Sequence, residues 1–350
     1  MRPRRWLISR PGRWSRATVP ASTDEAARER KRGSVETTSR SLVFGPVPSR
    51  RLGRSLGVDL IPYKTCSYDC TYCQLGRTTC KTVKRDEYVP TDRVLADLRE
   101  ALETGPAPDY ITLSGSGEPT LHSGLEQVIA GIRAVSDVPV AVLTNGSLLW
   151  QPEVADAVRM ADLVAPSLDA GDEETFQAVN RPHPDINFPR MVQGLIDFRQ
   201  RYTGQIWLEV FLLAGITSSP VQVAKIAALA AKIKPDRVQI NTIARPPAEP
   251  EARGVSLGDL DVLAELFTGT VEVVADHPLP AASAPGETGA DRVLDLLRRR
   301  PCTLDDIASG LGMHRNEVLK YTDRLVRTGE IMLQEVGGRA FYSATGKGEG

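Results

Sequence analysis

Apolar and polar positions change period repeatedly along the chain from about Ser41, and the changes predict strands alternating with helices. Short apolar runs predict strands over 55–61, 110–114, 139–144, 163–169, 206–213, 237–243 and 271–275. Between them, apolar residues recur every third or fourth position and predict helices over 91–103, 121–135, 152–160, 220–233 and 257–267. The first of these puts Leu95, Leu98 and Leu102 on one face, and the third starts with proline in its first turn. Residues 175–202 are helical in stretches broken by Pro182, Pro184 and Pro189. Strands that alternate with helices imply a parallel sheet with crossover helices. Six or seven such units over about 235 residues predict an α/β fold, a partial or full (β/α) barrel.

The texture changes after Ala275. Residues 277–289 carry three prolines and two glycines, the chemistry of a linker. Helices are then predicted over 291–300, 303–311 and 314–328, with Thr303 as a cap ahead of Asp305 and Asp306. Strands over 330–335 and 339–343 flank Gly337-Gly338 as a hairpin. The order predicts a C-terminal winged-helix module over 290–345, following a barrel over 42–276 and the linker over 277–289.

Composition adds that the chain is of ordinary globular type, with 41% hydrophobic and 25% charged residues among 350. No run has the apolar length to span a bilayer, and no apolar core follows the basic N-terminus as a secretory signal would require. The net charge of −1 conceals segregation. Residues 1–40 carry eleven Lys/Arg against four Asp/Glu with little apolar periodicity, so 1–41 reads as a disordered basic tail. Such a tail either touches nucleic acid, is simply solvated, or reflects a start codon placed too far upstream. Residues 50–85 carry eight Lys/Arg against two Asp/Glu, which either guides an anionic substrate or compensates an anionic metal centre. The C-terminal module is nearly balanced, nine against eight, although Arg315, Lys320, Arg324 and Arg327 lie along its third helix. That is weaker than the footprint of a dedicated DNA binder, and a protein- or RNA-facing accessory fits it better.

Candidate chemistry concentrates in Cys66-Ser-Tyr-Asp-Cys70-Thr-Tyr72-Cys73, which holds three of the five cysteines. Clustered thiolates bind soft metals, zinc or iron–sulfur centres. Structural zinc wants four ligands, and Cys80 is the nearest fourth thiol. A [4Fe–4S] cluster held by the three alone keeps one iron open to a ligand. Clustered thiols suit a reducing cytoplasm rather than a disulfide framework. A second landmark, Ser114-Gly115-Ser-Gly117-Glu118-Pro, closes the second strand, and its glycines allow close backbone approach. Strand parity gives a third: Ser167 and Asp169 share one face, Gln239 and Asn241 another, and Glu209 sits in an otherwise apolar strand. In a barrel those polar faces turn inward, and Asn145 follows the end of the third strand. Arg181 either reaches that cavity or sits on a surface loop.

The Cys-x3-Cys-x2-Cys spacing with Tyr72 before the last cysteine resembles the radical SAM superfamily signature. The resemblance implies that Cys66, Cys70 and Cys73 ligate the [4Fe–4S] cluster and that S-adenosylmethionine (SAM) chelates the fourth iron. Reductive cleavage then yields a 5′-deoxyadenosyl radical. It implies Tyr72 near the adenine, with Gly115, Gly117 and Glu118 as a variant of the family's Gly-Gly-Glu element at the SAM amino group. Asn145, Ser167, Asp169 and Glu209 become candidates for the SAM carboxylate or ribose, and Gln239 and Asn241 for ribose or adenine. The stretches Gly45-Pro-Val-Pro-Ser-Arg50-Arg51-Leu-Gly-Arg54 and Arg245-Pro-Pro-Ala-Glu249 are similar to iron–sulfur oxidoreductases related to wyosine-type tRNA modification enzymes. The expected function is therefore radical SAM catalysis, on RNA or another polyanion, with a reductant such as flavodoxin or ferredoxin. The alternatives are catalysis on a protein or small metabolite, and a DNA-binding iron–sulfur redox sensor.

Overall fold

The computed structural model describes residues 41–274 and 289–345. The basic segment, apart from Ser41, and the linker, apart from 289, lie outside the described residues. Among the described residues no helix is long and apolar enough to cross a membrane.

One sheet of eight strands organises the larger part. In sequence order the strands are β1 (Val43–Ser49), β2 (Gly53–Asp59), β5 (Tyr110–Ser114), β6 (Val140–Thr144), β7 (Leu163–Pro166), β8 (Gln205–Phe211), β9 (Arg237–Asn241) and β10 (Val271–Val273). Two-residue strands β3 (Thr65–Cys66) and β4 (Cys80–Lys81) pair separately. The large sheet is open, running β1-β2-β5-β6-β7-β8-β9-β10, and its strands are parallel from β2 onward. Helices α1 (Thr91–Thr104), α2 (Leu125–Val135), α3 (Pro152–Val158), α4 (Glu173–Val179), α5 (Phe188–Arg201), α6 (Pro220–Ile233) and α7 (Leu257–Ala264) connect these strands. The expected alternation is thus observed, with strand ends displaced by only a few residues. Parallel strands must be joined by crossovers, and their interior residues are correspondingly apolar: Ile111, Leu113, Val140, Val142, Leu208 and Val210 are fully buried in one core.

Two differences have local causes. Strand β1 was not among the expected strands, and its segment carries Gly45, Pro46 and Pro48. It lies at the sheet edge, antiparallel to β2, with an irregularity between Phe44 and Val47, and an edge position tolerates proline. The helix expected over 121–135 begins at Leu125, after a single 3-10 turn at Pro119–Leu121. His122 interrupts it: its Nδ1 accepts from Gly124 N–H at 3.1 Å while Nε2 meets the Val89 carbonyl at 2.9 Å.

The C-terminal part comprises α8 (Gly289–Arg299), α9 (Leu304–Leu311), α10 (Arg315–Arg327) and the hairpin β11 (Ile331–Val336) with β12 (Arg339–Ala344). Its own core joins Val293, Leu297, Ile307, Val318, Leu325 and Ile331. Thr303 caps α9 as expected, in a reciprocal pair with Asp306 in which each backbone N–H donates to the other side chain at 3.1 Å. This part meets the sheet at β1, where Val47 packs against its core and the Arg299 guanidinium lies 3.9 Å over the Phe44 ring.

Leu113, 0% exposed on β5, immediately precedes Ser114 at the strand's carboxyl end. Leu113→Ala is expected to lower unfolding free energy by about 2–5 kcal/mol in urea denaturation. A loss under about 1 kcal/mol is inconsistent with a close-packed position there.

Candidate active site

The cysteine loop leaves β2 and returns through α1. Its path is held by backbone bonds on three sides. Lys64 N–H donates to the Ser116 carbonyl at 2.7 Å and Glu118 N–H to Thr65 at 3.2 Å. Asp69 and Thr71 donate to Asn180 and Val179 at 3.0 and 2.9 Å. Within the loop, Tyr63 OH reaches the Leu75 carbonyl at 2.6 Å and Thr78 N–H the Asp69 carboxylate at 2.7 Å. Buried Tyr68 packs edge-on to Phe176 with centroids 5.3 Å apart. Three cysteines are therefore presented on a backbone with little freedom to move.

Each of the three sulfurs has a side-chain N–H donor, and Cys66 also has the Tyr68 backbone N–H. Lys64 Nζ lies 3.2 Å from Cys73 Sγ, Asn145 Nδ2 3.6 Å from Cys66 Sγ, and Asn180 Nδ2 3.5 Å from Cys70 Sγ. Burial pushes the Cys66 thiol up to about 12 and Cys70 well above the usual thiol range, with the nearby Glu118 and Asp169 carboxylates acting in the same direction. Such thiols become thiolates only when a cation compensates them, and donors aimed at sulfur are the usual surroundings of a metal–thiolate site. Three cysteine thiols on one cavity wall, each beside a side-chain N–H donor, fit a [4Fe–4S] group, which takes its cysteines at separate irons.

The sulfurs border a cavity of about 460 Å3, within the ordinary range for ligand pockets. The last residues of β2, β5, β6, β8 and β9 all line it, namely Asp59, Ser114, Thr144, Phe211 and Asn241. The carboxyl ends of parallel strands are where such folds place their sites.

The turn 114–118 fits this cavity by its glycines. A Cβ on Gly115, at φ +118°, would lie 1.7 Å from Asp59 Oδ1, and one on Gly117 would lie 1.9 Å from the Thr65 carbonyl. Neither distance is possible, so the close approach of turn, β2 and cysteine loop requires glycine at both. Glu118 is 2% exposed and its oxygens are occupied by the protein. Oε1 accepts from Thr120 N–H at 3.0 Å and from the hydroxyls of Thr120 and Thr144 at 2.6 Å each. Oε2 accepts from Asn145 N–H at 2.7 Å. Burial raises its pKa against the pull of these donors. Glu118 thus ties the turn after β5 to the end of β6 and aims Asn145, whose amide also donates to Ser67 Oγ at 2.8 Å.

The remaining candidates divide. Tyr72, Ser167, Glu209 and Asn241 line the cavity with Gly115, Gly117, Glu118 and Asn145. Tyr72 stacks on Phe211 at 4.0 Å and 11°, and its hydroxyl donates to Asp169. Asp169 stands behind that wall, accepting also from Asn180 Nδ2 at 2.7 Å and Phe211 N–H at 3.0 Å, with burial raising its carboxyl to about 6. Glu209 pairs with Arg51 at 3.0 Å and accepts from Asn241 Nδ2 at 3.3 Å. Gln239 does not reach the cavity. It shares a strand face with Asn241 but lies two residues deeper, where its amide donates to Glu272 on β10 at 3.2 Å. Arg181, at φ +45°, turns to Glu249 at 2.6 Å, and Arg77 pairs with the same carboxylate. Glu249 N–H also donates to the Thr71 carbonyl at 2.9 Å, so the loop after β9 is strapped onto the cysteine loop.

Sequence reasoning missed Lys64 and Asn180 as partners of the thiols. Lys64 carries a signal, a cation two residues before the first cysteine. Asn180 carries none, because it is brought in by the end of α4. Also unforeseen were Leu296, Arg299 and Arg300, which reach the same cavity from α8 and the residue after it.

Comparison with known proteins agrees with this geometry. Residues 60–227 match the model of the Radical SAM superfamily, the span that holds the cysteine loop, the glycine turn and strands β5 to β8. The protein carries a radical SAM domain and is an enzyme of that class, whose cofactors are SAM and a [4Fe–4S] cluster. The chain is 34% identical over 308 residues to a "UPF0026 protein" of Helicobacter pylori, covering 87% of this chain and 97% of that one. It is 30% identical over 311 residues to a "UPF0026 protein" of Methanocaldococcus jannaschii, covering 86% and 95%. The chain belongs to the UPF0026 family. It is also 39% identical over 304 residues to a Brachyspira hyodysenteriae protein named "GTPase Obg", covering 86% of this chain but only 45% of the length of that protein. Among solved structures, Streptococcus suis SuiB bound to S-adenosylmethionine is similar at 15% identity and TM-score 0.48, over 73% of this chain and 57% of that one. TYW1 with a lysine-pyruvate adduct is similar at 13% identity and TM-score 0.41, over 93% and 96%. Likenesses of this size carry no functional argument.

In Glu118→Gln an amide NH2 replaces one acceptor and faces donors already aimed at that point. The expected outcome is about 1–3 kcal/mol less stability and reduced iron per chain after anaerobic reconstitution, read by urea denaturation and iron assay. Unchanged values for both would remove the tie from Glu118.

Proposed function

We propose that Cys66, Cys70 and Cys73 hold the [4Fe–4S] cluster, that SAM occupies the adjoining cavity, and that the substrate is an anion, RNA in the first instance. The observation that carries this is the sharing of one cavity by three donor-supplied thiols, the Gly115–Glu118 turn and five strand ends. When bound, the cluster supplies an electron to SAM, whose cleavage provides the 5′-deoxyadenosyl radical for hydrogen abstraction.

This chain's residues bind and orient. Lys64, Asn145 and Asn180 donate to the sulfurs and so tune the cluster's potential. Tyr72, fixed by Phe211 and Asp169, offers an aromatic face for adenine. Ser167, Glu209 and Asn241 supply polar groups for ribose or the methionyl end, while Gln239 supports the sheet beneath them. The basic loop residues 50–85 favour an anionic substrate over a neutral metabolite. The C-terminal helices and hairpin follow winged-helix order, and we assign them an accessory role facing RNA or protein. Clustered thiols favour a reducing cytoplasm, and we assign flavodoxin or ferredoxin as the reductant.

The test is anaerobic reconstitution followed by SAM and dithionite. Wild type is expected to hold about four irons per chain and to release 5′-deoxyadenosine. Cys66→Ala, Cys70→Ala and Cys73→Ala should each lose the cluster absorbance and the product. Near wild-type iron in all three would falsify the ligation. No 5′-deoxyadenosine, together with redox-dependent DNA affinity, would replace the enzyme by a sensor.

For the substrate, nucleosides of total tRNA from a deletion strain are compared by mass spectrometry with those of the parent. Accumulation of an unmodified nucleoside is expected. An unchanged profile alongside an altered protein or metabolite would move the assignment to that class.

A further inference from the structure

The cavity has a second charge pattern besides the thiols. Five arginines line it, Arg50, Arg51, Arg245, Arg299 and Arg300, against three carboxylates. Each carboxylate has partners within the protein. Glu118 accepts from Thr120, Thr144 and Asn145. Asp59 meets Arg299 and Ser116 N–H at 2.8 Å each, and Glu209 pairs with Arg51 at 3.0 Å.

Arg245 and Arg300 form an ion pair with none of these carboxylates. Arg245 Nη1 donates to Gln74 Oε1 at 3.3 Å, but its Nε is buried and has no hydrogen-bond partner. Arg300 Nη2 is likewise buried and unpartnered. The two side chains come from different parts of the fold, Arg245 from the loop after β9 and Arg300 from the residue after α8. Burial lowers the Arg245 pKa to about 10, and the Arg300 charge adds to that effect. Cys302 and Asp306 act the other way on Arg245, but Asp306 is already engaged with Thr303, and the Cys302 thiol hydrogen-bonds the Arg300 side chain. Two like charges lining one cavity, each with a buried nitrogen, are unfavourable without an anion. Guanidinium forks match the geometry of phosphate and carboxylate.

We infer that Arg245 and Arg300 form an oxyanion subsite in this cavity, binding a phosphate or carboxylate group of the substrate, and that the subsite exists only where the C-terminal helices dock on β1. The inference deepens the function proposed above and rests on it for the identity of the bound molecule as substrate. It gives the C-terminal part a direct role: α8 brings Arg300 to the cavity, with Arg299 anchored on Asp59 and Phe44.

The test uses the full-length, cluster-reconstituted protein in equilibrium dialysis with labelled pyrophosphate, with acetate as the carboxylate competitor, with and without SAM. Wild type is expected to bind pyrophosphate whether or not SAM is present. Arg245→Gln and Arg300→Gln should each weaken binding about tenfold or more, the loss expected for a charged hydrogen bond. Arg300→Lys, which keeps charge but not the fork, should fall between. Arg159→Gln, on an exposed helix end, is the control. Competition by acetate points to a carboxylate, and indifference to it points to a phosphate.

No pyrophosphate binding by wild type, or wild-type affinity in both glutamine variants, overturns the inference. Displacement of pyrophosphate by SAM also overturns it, because the arginines would then serve the cofactor. Circular dichroism checks folding, and should Arg245→Gln not fold, Arg300→Gln and Arg300→Lys decide. Cluster absorbance is read on the same samples. A loaded cluster without oxyanion binding defeats the inference alone, and oxyanion binding without a cluster defeats the radical SAM ligation alone.

Discussion

A carboxylate buried without a cation, Glu118, is the constraint on which the site depends. Its two oxygens take four protein donors, from the turn that follows β5 and from the end of β6. Desolvation makes a buried acid costly unless its lone pairs are filled, so the donors have one arrangement that satisfies it. That arrangement sets Asn145, and Asn145 sets Ser67 and reaches Cys66 Sγ. The geometry of the first thiol is therefore inherited from a sheet interaction and not from the cysteine loop alone.

A similar dependence holds on the other side. Asp169 gathers Tyr72, Asn180 and the backbone of Phe211, and through Asn180 it influences Cys70. Glu249 closes the front of the loop by taking Arg77 and Arg181. Three acids from three elements thus hold a loop with almost no secondary structure of its own. Burial raises the pKa of the Cys66 and Cys70 thiols, so binding a cationic centre there would release protons.

The parts legible in sequence were those with a local physical cause. The period of apolar residues located the strands and helices, since burial on one face of a strand or helix writes itself into neighbouring positions. The cysteine spacing and paired glycines were legible because they serve short-range geometry. Failures came where a contact with another element overrides the local signal. Strand β1 exists because β2 offers it an edge, against the grain of its prolines. His122 stops a helix through Val89, 33 residues away. Gln239 has the parity of a cavity residue, yet β10 supplies Glu272 to meet it first.

The amino-acid sequence by itself determined the α/β alternation, the three thiols as ligand candidates and the glycines that let the backbone close around them, because each follows from the spacing of neighbouring residues. Tertiary structure alone decided which donor serves which sulfur, that Asp169 supports the cavity wall from behind, and that Arg245 and Arg300 line the same cavity from separate elements. Those outcomes depend on where crossovers and the C-terminal helices return in space. Sequence spacing carries no measure of distance between residues joined by 55 positions of intervening chain.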